Sequence, residues 1–194
     1  MILICGDSFA ADWTVKYDNY LGWPNLLAKN YKIKNIAQAG VGQYKILKQL
    51  QSVDIKDFDV VISSYTSPYR VHTYSHPIHH SDLLHKNCDL LANDIEYAVK
   101  NNKDNESLLT AKNYFKYHFD FEYYDEIYKM ITEKCNNIIA GIHHIQISNL
   151  EYVTGDWIDI TKNHKGLINH LSEKGNRLVY DKIIKMFKSK ETKY

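Results

Sequence analysis

The stretch Met1-Ile2-Leu3-Ile4-Cys5-Gly6-Asp7-Ser8-Phe9-Ala10 decides how the rest of the chain is read. Its first five residues form an apolar run of strand length, and Gly6-Asp7-Ser8 ends that run abruptly. Periodicity cannot separate so short a run from helix, but the Gly-Asp-Ser stop favours a buried strand. A serine just past the carboxyl end of a strand, on a turn that glycine permits, is held where a substrate can reach it. If a helix follows, Ser8 also lies near that helix's N-terminus, where free N–H groups stabilise an oxyanion. Taken alone, Asp7 or Ser8 serves equally well as a plain cap for such a helix.

Working outward, Trp13 to Gly22 reads as a loop rich in aromatic and polar residues, and Pro24 opens a helix continuing through Asn25 to Lys29. Tyr31 to Ala37 alternates in part and predicts a second strand. Gln38 to Gly42 is a loop, and Tyr44, Ile46, Leu47 and Leu50 give the next helix a buried stripe. Phe58 to Ser63 is short and β-branched, a third strand. Strands alternating with helices predict parallel β-α units, whose ligands bind beyond the carboxyl ends of the strands. Ser8, Gly40 and the residues after Ile62 all fall at such ends.

The region from Pro68 to Asn136 is longer than a simple crossover. Helix-spaced apolar residues run through Asp89 to Lys100 and Glu106 to Cys135, and predict a mostly helical insertion or lid over the site. Ile138 to Ile142 reads as a fourth strand and Gln146 to Val153 as a fifth. Ser172 is a candidate N-cap for a last helix through about Phe187, with Leu178, Val179, Ile183 and Phe187 facing the sheet.

At 194 residues the chain suffices for one domain, 1–194, with a sizeable core and no Pro/Gly/Ser-rich linker. A formal net charge of +1 gives no global basic field, so nucleic acid is not expected as a partner. No apolar run approaches the roughly 18 residues of a membrane span, and Met1 to Cys5 is too short for a signal peptide and lacks its basic start. The expectation is a cytoplasmic protein without a membrane partner. Cys5, Cys88 and Cys135 are scattered and odd in number, which suits a reducing compartment. Lys, Asn, Ile and Tyr share AT-rich codons, so the 16 tyrosines carry little functional weight.

Several blocks, in order along the chain, together carry a resemblance. Gly6-Asp7-Ser8-Phe9, then Gly22-Trp23-Pro24-Asn25-Leu26-Leu27-Ala28, then Asn35 with Gly40 five residues on, and finally Asn169-His170-Leu171-Ser172-Glu173-Lys174-Gly175-Asn176 resemble the motifs of the SGNH (GDSL-type) hydrolases. The resemblance implies a three-layer, flavodoxin-like α/β fold around a parallel sheet, and a serine esterase without a cofactor or metal. It implies Ser8 as nucleophile and first oxyanion donor, Gly40 as second donor and His170 as base. The substrate class it implies is a small-molecule or carbohydrate ester, with removal of acetyl groups from a sugar as one case.

Two blocks depart from the family. In place of Gly-x-Asn-Asp after the third strand stands Tyr65-Thr66-Ser67-Pro68, followed by Tyr69-Arg70, which is similar to the Trp-Thr-Ser-Pro-x-Arg stretch of phage-like members. Levelling the strands puts Ser67 in the oxyanion-hole position of the family's asparagine, with Thr66 as neighbouring substitute. A lost donor that nothing replaces costs about 10²–10³ in rate. Asp7, Thr66 and Arg70 are candidate substrate contacts, although Arg70 also suits the bracing of a loop. The family's triad aspartate, three residues before the histidine, is here Leu167. Asp159 or Asp156 upstream, or a main-chain carbonyl, is left to orient the ring. Without a carboxylate the loss reaches about 10⁴ in serine proteases.

The other histidines, His72, His76, His79, His80 and His85, form a tract of a kind that can bind zinc. No Cys or carboxylate completes a familiar spacing, and Pro77 breaks helical pairing, so no metal is expected. His143 and His144, after the expected fourth strand, are candidates for the site's edge. Two competing functions share these residues: a degenerate binding module that keeps the pocket without turnover, and a sugar O-acyltransferase. Oligomeric state is not legible in the sequence.

Overall fold

Ile2–Gly6 forms the central strand, β1, because an apolar run buried on both faces needs layers above and below it. In the computed structural model, which describes residues 1–79, 83–148, 157, 160, 163–166 and 170–191, all five residues of β1 are buried. β1 pairs in parallel with β2 (Ile33–Asn35) on one side and β3 (Val60–Tyr65) on the other. β3 pairs in parallel with β4 (His143–Ser148), giving the order β2-β1-β3-β4.

The two-residue period of the strands sorts their side chains into two cores. Ile2, Ile4, Ile62, Ile145 and Ile147 share one core with Trp23 and Leu27 of α1 (Trp23–Ala28) and Val179 and Ile183 of the last helix. Leu3, Cys5, Val61 and Tyr65 share the other with Ile46, Leu47 and Leu50 of α2 (Gln43–Gln51) and with Cys135. Leu3 and Ile4 are fully buried, each worth about 1.5–3 kcal/mol. The result is a three-layer α/β sandwich of flavodoxin-like strand order, as the alternation of strands and helices predicts. In this order the chain leaves β1 and β2 on opposite faces, opening a crevice beyond the carboxyl ends of β1 and β3.

After β3 the chain forms an irregular loop tied by the bridge between Val71 and Leu90. Two helices follow, α3 (Ala92–Asn101) and α4 (Glu106–Tyr117), which bury Ile95, Ala98 and Val99 against Leu108 and Ala111. Their apolar stripes pack on each other rather than on the sheet. The apolar spacing expected through Glu106 to Cys135 is broken at Asp120, whose carboxylate accepts from the N–H groups of Glu122 and Tyr123 and starts α5 (Phe121–Ile138). α5 packs on α2 and supplies Cys135 to the sheet's core, as a layer of the sandwich.

The expected fourth strand is displaced. Ile138 closes α5, the chain turns at Gly141 (φ +86°), and β4 occupies 143–148. An expected fifth strand at Gln146 to Val153 overlaps β4 at its start, and its remainder lies outside the described residues. The last helix, α6 (Glu173–Glu191), begins where Ser172 Oγ accepts from the Gly175 N–H at 3.2 Å. Among the described residues no helix is long and apolar enough to cross a membrane.

Candidate active site

The turn that carries Ser8 is built on the absence of a side chain at Gly6. Gly6 has φ +136°, and a Cβ there would lie 2.3 Å from the Ser64 carbonyl oxygen on β3. On its other side Gly6 is gripped by Gln49 of α2, which accepts from the Gly6 N–H at 2.7 Å and donates to the Gly6 carbonyl at 3.1 Å. Beyond it, the Asp7 N–H donates to Ser64 O, and Asp7 Oδ1 accepts from Ser64 Oγ (2.8 Å) and the Phe9 N–H (3.1 Å). The Asp7 carbonyl takes the N–H groups of Ala10 and Ala11, so a single turn follows rather than the α-helix the sequence left open. Asp7 is buried, and burial pushes its carboxyl up to about 6 against the pull of the Ser64 hydroxyl, the Phe9 N–H and the charge on Arg70.

Two tryptophans fix the backbone at Ser8 and at the residue after it. Trp13 Nε1 donates to Ser8 O at 2.7 Å, and Trp23 Nε1 donates to Phe9 O at 2.8 Å. The same residues meet His170. Its ring lies 4.4 Å from that of Trp13 and 5.0 Å from that of Phe9, centroid to centroid. The segment bearing His170 is tied back by Tyr20, whose hydroxyl donates to Leu171 O, and by Asn176 of α6. Asn176 donates to Tyr20 Oη and Leu171 O and accepts from the Trp23 N–H, linking α1 to α6 in one buried knot. Ser8 and His170 line one cavity of about 10 Å³, together with Phe9, Trp13, Tyr20 and Asn176, a space that holds about one water molecule.

Gly40, Thr66, Ser67 and Arg70, on the loops after β2 and β3, are not among the residues lining that cavity. Gly6 stands level with Ser64 in the ladder, so Thr66 and Ser67 leave β3 where Ser8 leaves β1. Ser67 Oγ accepts from the Tyr69 N–H at 3.2 Å, an arrangement that keeps its own proton for donation. Arg70 Nε donates to Thr66 Oγ1 and Nη1 to Gly40 O, both at 3.2 Å. Of the expected substrate contacts, Asp7 and Thr66 are buried and Arg70 spans two loops. Asp7 Oδ1, Thr66 Oγ1 and Arg70 Nε and Nη1 all have partners within the protein, so these side chains brace the loops around Ser8 from inside. Gly40 has φ +73°, and a Cβ on it would lie 2.2 Å from Cys88 Sγ. Asp156, Asp159 and Leu167 lie outside the described residues.

No family model and no curated protein matches the chain. Among solved structures, it is similar to an extracellular lipase from Streptomyces rimosus at 14% identity, over 93% of this chain and 69% of that chain, with a TM-score of 0.30. Nothing in these comparisons bears on phage-like proteins. The functional reading therefore stands on this chain's own residues.

The remaining histidines sit elsewhere. His143 and His144 pair with Val60 and Val61, at the amino ends of the strands and so at the opposite edge from Ser8, which corrects their expected place. His144 Nε2 meets the buried Ser63 hydroxyl at 2.6 Å, and burial pushes its imidazole down to about 4. In the histidine tract, His76 is buried, and its Nδ1 accepts from the N–H groups of Ile78 and His79. Desolvation holds His76 down at about 4, with the neighbouring His79 adding to the effect. His80 lies outside the described residues. Among those described, no group of three or more His, Cys, Asp or Glu is placed to hold a metal ion. Sequence reading passed over Gln49 and Asp89. A polar residue within the buried stripe of α2 is the signal that exposes Gln49, while Asp89 carries none, since its partners are distant in sequence.

Proposed function

We propose that this protein is a serine esterase that cleaves short acyl esters, carbohydrate O-acetyl groups being the class it fits best. One observation carries the reading: Ser8, on a turn only glycine allows at the carboxyl end of the central strand, shares a single small cavity with His170. Ser8 Oγ attacks the acyl carbonyl while His170 takes its proton, and the protonated ring returns that proton to the leaving alkoxide. The N–H groups of Ser8 and Gly40 and the Ser67 hydroxyl stabilise the oxyanion, and water then releases the acyl group by the same steps in reverse. Tyr17 and Tyr20, both partly buried against Trp13, are the aromatic residues beside the site that suit the apolar face of a sugar. Orientation of His170 falls to Asp159, or to a main-chain carbonyl.

The replacement of the family's aspartate by Leu167 favours one competing reading, a binding module without turnover. Labelling with a fluorophosphonate separates the two. One adduct per chain, mapped to Ser8 and lost in Ser8→Ala, is the expected result, together with hydrolysis of 4-nitrophenyl acetate. Neither labelling nor turnover in the wild type would refute the esterase and leave the binding module.

A further inference from the structure

Asp89 lies in the inserted loop, well separated in sequence from every residue assigned above, yet it is 1% exposed. Its main-chain N–H donates to Gly40 O at 2.9 Å, and its Oδ2 accepts from the Gly42 N–H at 2.6 Å. One residue therefore grips the loop after β2 at two points. Arg70 Nη1 donates to the same Gly40 carbonyl, and the preceding residue, Cys88, turns its Sγ to Ala39 O at 3.4 Å. In a trans peptide the carbonyl and the N–H point in opposite directions. With Ala39 O turned to Cys88, the Gly40 N–H faces away from the insertion. The carboxylate is itself fixed: Oδ1 lies 2.7 Å from Lys45 Nζ on α2 and accepts from the Thr73 N–H at 3.0 Å and from His72 Nδ1 at 3.2 Å. Lys45 Nζ also donates to Thr73 O and Asn87 O, closing the network around Asp89.

We propose that Asp89 is a positioning residue, which with Arg70 holds the turn at Gly40 to Gly42 so that the Gly40 N–H is preset to receive an oxyanion. This rests on the esterase reading for its effect on turnover, but the holding itself does not. It makes the inserted loop part of the catalytic apparatus: the oxyanion donor sits on the sandwich, and the groups that aim it sit on the insertion. A donor set in place before the reaction costs no reorganisation when charge develops.

Two variants test it, Asp89→Asn and Arg70→Lys. Each is measured by amide hydrogen exchange across residues 38–43, by kcat and KM on 4-nitrophenyl acetate, and by thermal melting. The expected result is faster exchange confined to 38–43 and a kcat lower by about 10- to 100-fold, below the full cost of losing an oxyanion donor. KM should stay within about twofold, and the pH dependence of kcat should not move, because His170 is untouched. The double variant should fall short of the product of the single effects, since Asp89 Oδ2 and Arg70 Nη1 hold one turn, at Gly42 and at Gly40. Unchanged exchange at 38–43 in both variants overturns the proposal, and so does a lower melting point with kcat per folded molecule intact. If Asp89→Asn does not fold, Arg70→Lys decides by the same measures. If the wild type neither turns over ester nor labels at Ser8, the esterase reading fails, and exchange alone decides whether Asp89 holds the turn.

Discussion

Replacing Gly6 by alanine tests the idea that the turn carrying Ser8 exists only because position 6 lacks a side chain. The new Cβ would lie 2.3 Å from Ser64 O, 2.7 Å from Ser64 N and 2.8 Å from Ser64 Cβ, all on the neighbouring central strand. None of these is the tip of a flexible side chain, so β1 and β3 must move apart or the turn must rotate. A φ of +136° adds backbone strain of about 1–3 kcal/mol for any residue with a Cβ. Overpacking of a rigid core adds about 1–3 kcal/mol more. Relief by displacement would break the Asp7 N–H bond to Ser64 O and loosen both Gln49 contacts. The sum is a loss of about 2–6 kcal/mol, enough to leave a protein of ordinary stability marginal or to unfold it. Urea denaturation followed by far-UV circular dichroism measures the loss, and fluorophosphonate labelling of the folded fraction measures displacement of Ser8. An alanine variant within about 1 kcal/mol of wild type and fully labelled would refute the reasoning.

Asp7→Asn gives a pH signature of the opposite sign. Because burial raises the folded carboxyl to about 6, the unfolded chain ionises first on going from about pH 4 to 6, and wild-type stability falls across that window and then levels off. The shift corresponds to about 3 kcal/mol at most. Asparagine keeps an Oδ1 to accept from Ser64 Oγ and Phe9 N–H, so it should match wild type at pH 4 and exceed it at pH 8 by urea denaturation; a variant weaker at pH 8 contradicts this. His170→Ala should remove about 10³ or more of the turnover of an acetyl ester while circular dichroism stays native, and unchanged hydrolysis would discard the Ser8–His170 pair. Asp159→Ala then tells a carboxylate from a carbonyl as the orienting group, by a severe loss of acyl-enzyme formation or by none.

What the sequence made legible follows from which forces act locally. β1 and its glycine stop were readable because a run buried on both faces, then a residue with positive φ, leaves a signal within ten positions. Ser172 announced α6 for the same reason. The displaced fourth strand shows the limit. Ile138, Ile139 and Ile142 satisfy either a short strand or the last turn of a helix, and the contact of α5 with α2, a tertiary fact, made the choice. β4 itself was obscured by its two histidines, although Ile145 and Ile147 keep the inward alternation of a strand. At the site, Ser8 and His170 were legible as motif positions. The loop-bracing reading of Arg70 was legible too, but the bracing by Asp7 and Thr66 was not, because it depends on which polar atoms find partners across loops. Asp89 was invisible for a like reason, since its partners span Gly40 to Thr73 and no local pattern unites them.

The chain has three tryptophans, and two of them donate their indole N–H to the consecutive carbonyls of Ser8 and Phe9. Trp13 also lies ring against ring with His170. Its emission is therefore a built-in optical gauge of the turn at Ser8. Any movement of the His170 ring against this indole changes the surroundings, and so the brightness, of Trp13. A shift of the Ser8 carbonyl, to which the Trp13 N–H donates, changes the same signal, so the state of the turn can be followed without an added dye.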